Sequence, residues 1–391
     1  MSIFMCFTLS IIYRKTMKKV KKMNLIKKLN QDFVVNKIKE TNWSKGTDGP
    51  LIVELDTTEA CDMACPGCVS EEIMEAGRKF TTERLMEIGV ELKEIGVKGV
   101  VLIGGGEPLA HPAIGKLMTY LGENDISIGI TTNGSFIKRY LDIIAKYSSW
   151  TRVSMDAASN EMFEKLRPTK GGGSKFKSII SSMKELSKIK KGKMGYSFLI
   201  RTEAEGVECN INEIYDAAVL AKEIGCDYFE VKPSYNYKNN AVHSLVKHKK
   251  ESMEKAKIEI ERLESLADDN FSIIKAITLD ASLEGADILQ IKNYKTCPAT
   301  ELRTLITPSG VYVCPYWRGK DQFNVGNAVT KSIKEIWHGK KRKDVQKYLD
   351  PSIHCSFNCL RHETNLEVFS IINDIKNKKE IKTIPEFDRF I

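Results

Sequence analysis

The chain has no apolar run long enough to span a membrane: its opening stretch, residues 3–12, is well short of the ~20 residues a helical span needs. It also lacks the positively charged start and small-residue cleavage site of a signal peptide. Lys18, Lys19, Lys21 and Lys22 follow the apolar stretch, which leaves two readings open: a weak membrane-surface helix, or translation that begins at Met17 or Met23. No internal repeat and no extended low-complexity tract is present, which excludes solenoids and arrays. A charge surplus is missing from most of the sequence as well. The formal net charge is +9, but residues 1–50 hold 11 Lys or Arg against 3 Asp or Glu, so the remainder is nearly neutral and offers no broad basic face for nucleic acid.

Cysteine is what the chain has in quantity. Cys6, Cys209 and Cys226 lack companions at ligand spacing and read as reduced or buried thiols, whereas the other seven of the ten fall into two groups. That usage fits a reducing cytoplasm better than secretion. The first group is Cys61, Cys65 and Cys68, with three residues between the first pair and two between the second. A closed zinc site wants four ligands, whereas a loop with three thiolates can hold a 4Fe-4S cluster and leave one iron open. Zinc with a distant fourth ligand, or plain buried cysteines, are the competing readings. About forty residues later, the apolar run Val100–Ile103 ends in Gly104, Gly105, Gly106, Glu107 and Pro108. Small residues there allow backbone to approach a ligand closely.

On these two motifs, in this order, the sequence resembles the radical S-adenosylmethionine (SAM) superfamily. The resemblance implies that Cys61, Cys65 and Cys68 bind a 4Fe-4S cluster and that Gly105, Gly106, Glu107 and Pro108 line the pocket for the SAM amino group. It places Asn133 in the turn after the strand 128–132, Ser154 and Asp156 near the SAM ribose, Arg167 near the SAM carboxylate, and Val231 beside the adenine. An arginine before a proline also suits a solvated helix end. The implied chemistry is reductive cleavage of SAM to methionine and a 5′-deoxyadenosyl radical, followed by abstraction of a hydrogen atom from a substrate, with electrons from a flavodoxin or ferredoxin-type donor.

From Leu51 to Pro233, short β-branched runs alternate with helical periods. Strands are predicted near 51–56, 99–103, 127–132, 150–155, 195–200 and 228–232, and helices near 81–96, 113–122, 136–147, 175–190 and 212–224. Such alternation argues for parallel strands joined by helical crossovers. Six units match the α/β fold that the resemblance implies, a partial (β/α)6 TIM-like barrel with a small C-terminal cysteine-ligated α+β extension. The strand ends then share one rim, where chemistry belongs. The expected divisions are a basic N-terminal extension (1–50), the barrel (51–240), a helical connector (241–290), the cysteine extension (291–365), and a C-terminal helix and peripheral Lys-rich tail (366–391).

The second cysteine group is Cys297, Cys314, Cys355 and Cys359, spread around a hairpin that turns at Pro308–Gly310 and a helix near 332–337. This pattern resembles a SPASM or "twitch" extension, which implies an auxiliary 4Fe-4S cluster. His354 or His362 could serve as a ligand, and a four-cysteine zinc knot is the structural alternative. With an auxiliary cluster, a substrate radical could lose a second electron. A small polar substrate, a sugar or aminocyclitol, is expected, because the 50 residues before Leu51 are too few and too Lys-rich for the peptide-recognition domain common in peptide-modifying relatives. Peptide modification, sugar-acid decarboxylation and a non-catalytic metal-binding scaffold are the alternatives. Candidates for catalysis or substrate contact are Lys232, Tyr235 and Tyr237 at the end of the sixth strand, and Arg303, Tyr316, Trp317 and Arg318 near the auxiliary cysteines.

Overall fold

The computed structural model describes residues 20–21, 25–236, 244–285, 291–357 and 359–391. In chain order its strands are β1 (Val20–Lys21), β2 (Ile52–Leu55), β3 (Gly99–Leu102), β4 (Ser127–Thr132), β5 (Ser148–Ser154), β6 (Lys193–Leu199), β7 (Tyr228–Lys232), β8 (Tyr235–Asn236), β9 (Ser244–Leu245), β10 (Ser272–Lys275), β11 (Arg303–Thr307), β12 (Gly310–Tyr312) and β13 (Asn324–Gly326). Eleven of them form one sheet in the order β1-β10-β7-β6-β5-β4-β3-β2-β11-β12-β13, and β8 pairs with β9 separately. Every neighbouring pair from β1 to β11 is parallel, and β12 and β13 are antiparallel additions. The architecture is the expected α/β one: the six predicted barrel strands are β2 to β7, joined by helical crossovers.

Alternation along the strands sorts their side chains. Val53, Leu55, Val100, Leu102, Tyr196, Phe198 and Phe229 join the main core with Leu85, Ile88 and Leu92 of the helix Thr82–Glu94. That helix starts where Thr81 accepts a hydrogen bond from the Arg84 N–H, satisfying one orphan donor. Burying each such Leu, Ile or Phe side chain contributes about 1.5–3 kcal/mol. Residues of the opposite parity, among them Glu54, Arg152, Glu230 and Lys232, face the barrel interior. Space there is made by small residues: a Cβ on Gly129 would lie 2.2 Å from the Trp150 ring, and one on Gly195 2.0 Å from that of Tyr228.

Four features differ from expectation. The connector contains β10, which extends the barrel sheet beyond β7. Helix fills only part of the connector, the helix Lys250–Arg262 burying Met253, Ala256 and Ile260. The hairpin of the extension is fused to the barrel: β11 pairs with β2, Arg303 opposite Ile52. The C-terminal stretch is docked rather than peripheral. Gln31 accepts hydrogen bonds from the Phe387 and Asp388 N–H groups and donates to the Asp388 carbonyl, while Phe390 packs edge-on against Trp150 at 5.4 Å. With the helices Asp32–Glu40 and His362–Lys376 it covers Leu51, Ile52 and Val101 at the base of the barrel. The apolar stretch at 3–12, Cys6 and Tyr237 lie outside the described residues. No helix among the described residues is long and apolar enough to cross a membrane.

Candidate active site at the barrel rim

The loop after β2 carries Cys61, Cys65 and Cys68, and distant segments brace it. The Ala64 N–H donates to the Pro168 carbonyl at 2.8 Å, the Lys170 N–H to that of Asp62 at 3.0 Å, and Arg201 to that of Pro66 at 3.1 Å. Gly67 has φ +65°, and a Cβ there would lie 2.8 Å from the Arg201 guanidinium. Glycine therefore suits both the backbone and the close approach.

The turn after β3 packs directly on this loop. The Gly106 N–H donates to the Thr58 carbonyl and the Glu107 N–H to that of Ala60, at 3.2 and 2.9 Å. A Cβ on Gly106 would lie 2.1 Å from the Ala60 carbonyl oxygen. Pro108 is buried, its carbonyl accepting from the Thr57 hydroxyl at 3.0 Å. The Glu107 carboxylate accepts from the Thr132 hydroxyl and from the N–H groups of Leu109 and Asn133 at 2.6, 3.0 and 2.7 Å. Burial raises its pKa to about 7 against those three bonds. The Asn133 amide reaches Asp62 at 2.8 Å and the Cys61 sulfur at 3.7 Å, so it joins the cysteine loop to the glutamate turn.

Asp156, at φ +57°, lies just beyond the end of β5. It accepts from the Leu199 N–H and pairs with Arg167 at 2.8 Å, so Arg167, at the end of the helix Asn160–Leu166, is half-buried in an ion pair and not simply solvated. Burial opposes the Arg167 charge, but Asp156 and Cys65 outweigh it and raise its pKa. Ser154 lies on β5 opposite Ser197. Val231 departs from expectation: its side chain is wholly buried in the outer core, facing the helices, because Glu230 and Lys232 on either side of it take the interior.

In the interior, Arg152 pairs with Glu230 at 3.0 Å and Lys232 lies 3.7 Å from the same carboxylate. Burial and the neighbouring Arg152 lower the Lys232 pKa. A cleft of about 250 Å³ opens at the rim beside Cys68, with Arg201, Glu205, Tyr235 and Val246 in its walls. The Tyr235 hydroxyl is hydrogen-bonded to Thr278 at 2.6 Å. Arg303 lies on the side of the auxiliary cysteines. It is 8% exposed, paired with Glu54 and hydrogen-bonded to the Ile391 carbonyl, in the wall of the auxiliary cysteine site rather than in the rim cleft.

Cys297, Cys314, Cys355 and Cys359 line one pocket with Trp317, Phe357 and Leu349. Asn365 donates to the Cys297 sulfur at 3.2 Å, and the Arg361 N–H to that of Cys359 at 3.3 Å. Burial raises the Cys61 and Cys297 thiols to about 11 and Cys355 to about 12, so ligation must release their protons. Neither histidine joins them. His354 accepts from the Asp350 N–H, and His362 meets the Tyr294 hydroxyl at 3.1 Å.

The residues fit iron–sulfur clusters and SAM. The four auxiliary thiols line one pocket, the number that closes the coordination of a thiolate-held cluster. Beside the glycine turn, Asp56 Oδ2 and Glu59 Oε1 are buried without a hydrogen-bond partner, an acidic setting suited to the cationic end of SAM. Sequence reasoning missed Arg201, Asp56 and Asn365. Arg201 follows the end of a barrel strand, and that position was the available signal.

A barrel with a three-cysteine rim loop and a second, four-cysteine site fits the class of iron–sulfur proteins. The family model described as "Radical SAM superfamily" matches residues 55–205, and the one described as "Iron-sulfur cluster-binding domain", SPASM, matches 297–360. The chain belongs to the radical SAM superfamily and carries a C-terminal SPASM domain. Its cofactors are a SAM-binding 4Fe-4S cluster, SAM, and auxiliary iron–sulfur ligation in the extension. Mycofactocin maturase MftC of Mycolicibacterium smegmatis is 23% identical over 305 residues, covering 75% of this chain and 72% of that protein. Among solved structures, Streptococcus suis SuiB bound to the precursor peptide SuiA superposes with a TM-score of 0.57 at 18% identity, over 87% of this chain and 76% of that one. Native anSMEcpe with bound AdoMet and Cp18Cys peptide gives 0.54 at 17% identity, over 84% and 100%.

Proposed function

We propose that the protein is a peptide-modifying radical SAM enzyme that oxidises a residue of its substrate with the help of the auxiliary cluster. The observation that carries this reading is the cleft beside Cys68, open at the rim and walled by both charged and apolar groups, which suits an extended chain better than an enclosed sugar. The maturase match, over 75% of this chain, supports it. The expectation of a sugar or aminocyclitol rested on the short N-terminal segment alone and has less support. In this proposal Cys61, Cys65 and Cys68 hold the first cluster and Cys297, Cys314, Cys355 and Cys359 the auxiliary one. Gly105, Gly106, Glu107, Asn133, Asp156 and Arg167 form the SAM pocket.

Bound there, the cluster and SAM supply an electron and a hydrogen-abstracting radical, and the protein supplies orientation and exclusion of water. Glu107 is fixed by three hydrogen bonds before any ligand arrives, so it can accept a cationic group without reorganising. Arg167, held by Asp156, presents a fixed positive charge near Cys65. Lys232 and Tyr235, at and just beyond the end of β7, orient the substrate. None of the nine described cysteines is in a disulfide, consistent with work in a reducing cytoplasm.

Incubation of the anaerobically reconstituted protein with SAM, dithionite and a deuterated short peptide encoded beside its gene tests the reading. Deuterium in 5′-deoxyadenosine with a matching mass loss in the peptide is expected. An unchanged peptide, with oxidation of an aminocyclitol or sugar offered in parallel, would overturn it.

A further inference from the structure

Arg318 belongs to the extension, yet its guanidinium ends at the SAM-binding turn. The one-turn helix Pro315–Trp317 follows Cys314 directly. The Trp317 N–H donates to the Cys314 carbonyl at 3.0 Å and the Arg318 N–H to that of Pro315 at 3.2 Å. Trp317 is clamped by Phe323, stacked at 3.9 Å, and by Phe357, edge-on at 5.8 Å. Arg318 is therefore rigidly referenced to Cys314. Its Nη2 donates to Asp56 Oδ1 at 2.8 Å and its Nη1 to the Gly104 carbonyl at 3.0 Å, the residue that opens the turn Gly105–Gly106–Glu107. Asp56 is fully buried, and its other oxygen has no partner.

We propose that Arg318 is a positioning residue that reports the state of the auxiliary cysteine site to the SAM-binding turn, so that SAM binds tightly only when the auxiliary cluster is in place. The physical basis is the shape of the guanidinium, a planar fork that holds a carboxylate and a carbonyl at once and cannot follow Cys314 without releasing them. Release leaves a buried carboxylate unpaired, which is costly, and removes a fixed point from a turn that has no slack: a Cβ on Gly104 would lie 1.8 Å from the Gly106 carbonyl oxygen. The inference requires only SAM binding and is independent of whether the substrate is a peptide.

The test uses the full chain, reconstituted anaerobically, with SAM as the probe and no substrate. SAM affinity is measured by equilibrium dialysis, and the SAM-induced change in the spin resonance of the reduced first cluster is recorded alongside iron content. Arg318→Gln is expected to keep all its iron, to bind SAM about tenfold more weakly and to alter the spectral change, with Arg318→Lys restoring part of both. Cys359→Ala, which leaves Arg318 intact, is expected to lose the auxiliary iron and weaken SAM binding to the same degree. The double variant is expected to be no weaker than either single one. Wild-type affinity and spectrum in Arg318→Gln would overturn the proposal, and so would full additivity in the double variant. If Arg318→Gln fails to fold, Arg318→Lys and Cys359→Ala carry the test, and wild-type SAM affinity in both would overturn it.

Discussion

Cys61, Cys65 and Cys68 sit within eight consecutive residues on one loop, whereas Cys297, Cys314, Cys355 and Cys359 are gathered from three separate segments around a pocket. The first loop borders a cleft. The second group is walled by Trp317, Phe357 and Leu349. Local sequence suffices to bring the first three thiols together, and the rest of the barrel serves to brace them. The second four meet only if the hairpin, the helices that follow it and the sheet edge are all in place, because closing such long loops must be repaid by tertiary contacts. An open centre can thus be read from spacing, while a closed one must be built by the fold.

The largest effect that sharpens this contrast is Cys65→Ala. SAM cleavage should fall below detection while the auxiliary iron stays, as measured by 5′-deoxyadenosine release and iron content; retained cleavage would move the first cluster elsewhere. Next, Cys314→Ala should remove roughly half the iron, the share of one of two four-iron clusters, and should also lower the melting temperature, since folding and ligation are coupled there. Unchanged iron would break the contrast. Gly106→Ala forces a Cβ against the Ala60 carbonyl oxygen and should cost about 1–3 kcal/mol in thermal or denaturant unfolding, with weakened SAM binding. The smallest effect is expected from Gln31→Leu. Loss of its bonds to the C-terminal stretch should cost about 1–3 kcal/mol with iron content and SAM affinity unchanged.

Much of this was legible in advance because it is local. The six barrel strands, their crossover helices and both cysteine groups carry period, spacing or turn signals within short windows. The pairing of β11 with β2, the entry of β10 into the sheet and the docking of Phe390 on Trp150 join residues far apart in sequence, and no window contains them. Arg303 illustrates the limit: its partners, Glu54 and Ile391, are 249 and 88 residues away. Val231 is a different case. The two-residue alternation of a strand with Glu230 and Lys232 facing inward already assigns its side chain outward, which leaves only its backbone to meet a ligand at the end of β7.

The ladder between β2 and β11 governs how far the two cysteine sites can move apart. Barrel and extension meet through a parallel backbone register, Ile52 to Arg303 through Leu55 to Ile306, and not through a flexible linker. Such a seam offers no hinge. The rim loop that follows β2 and the cysteine pocket reached through β11 are borne on one continuous sheet, and any large shift of one against the other would have to break the backbone hydrogen bonds of that ladder.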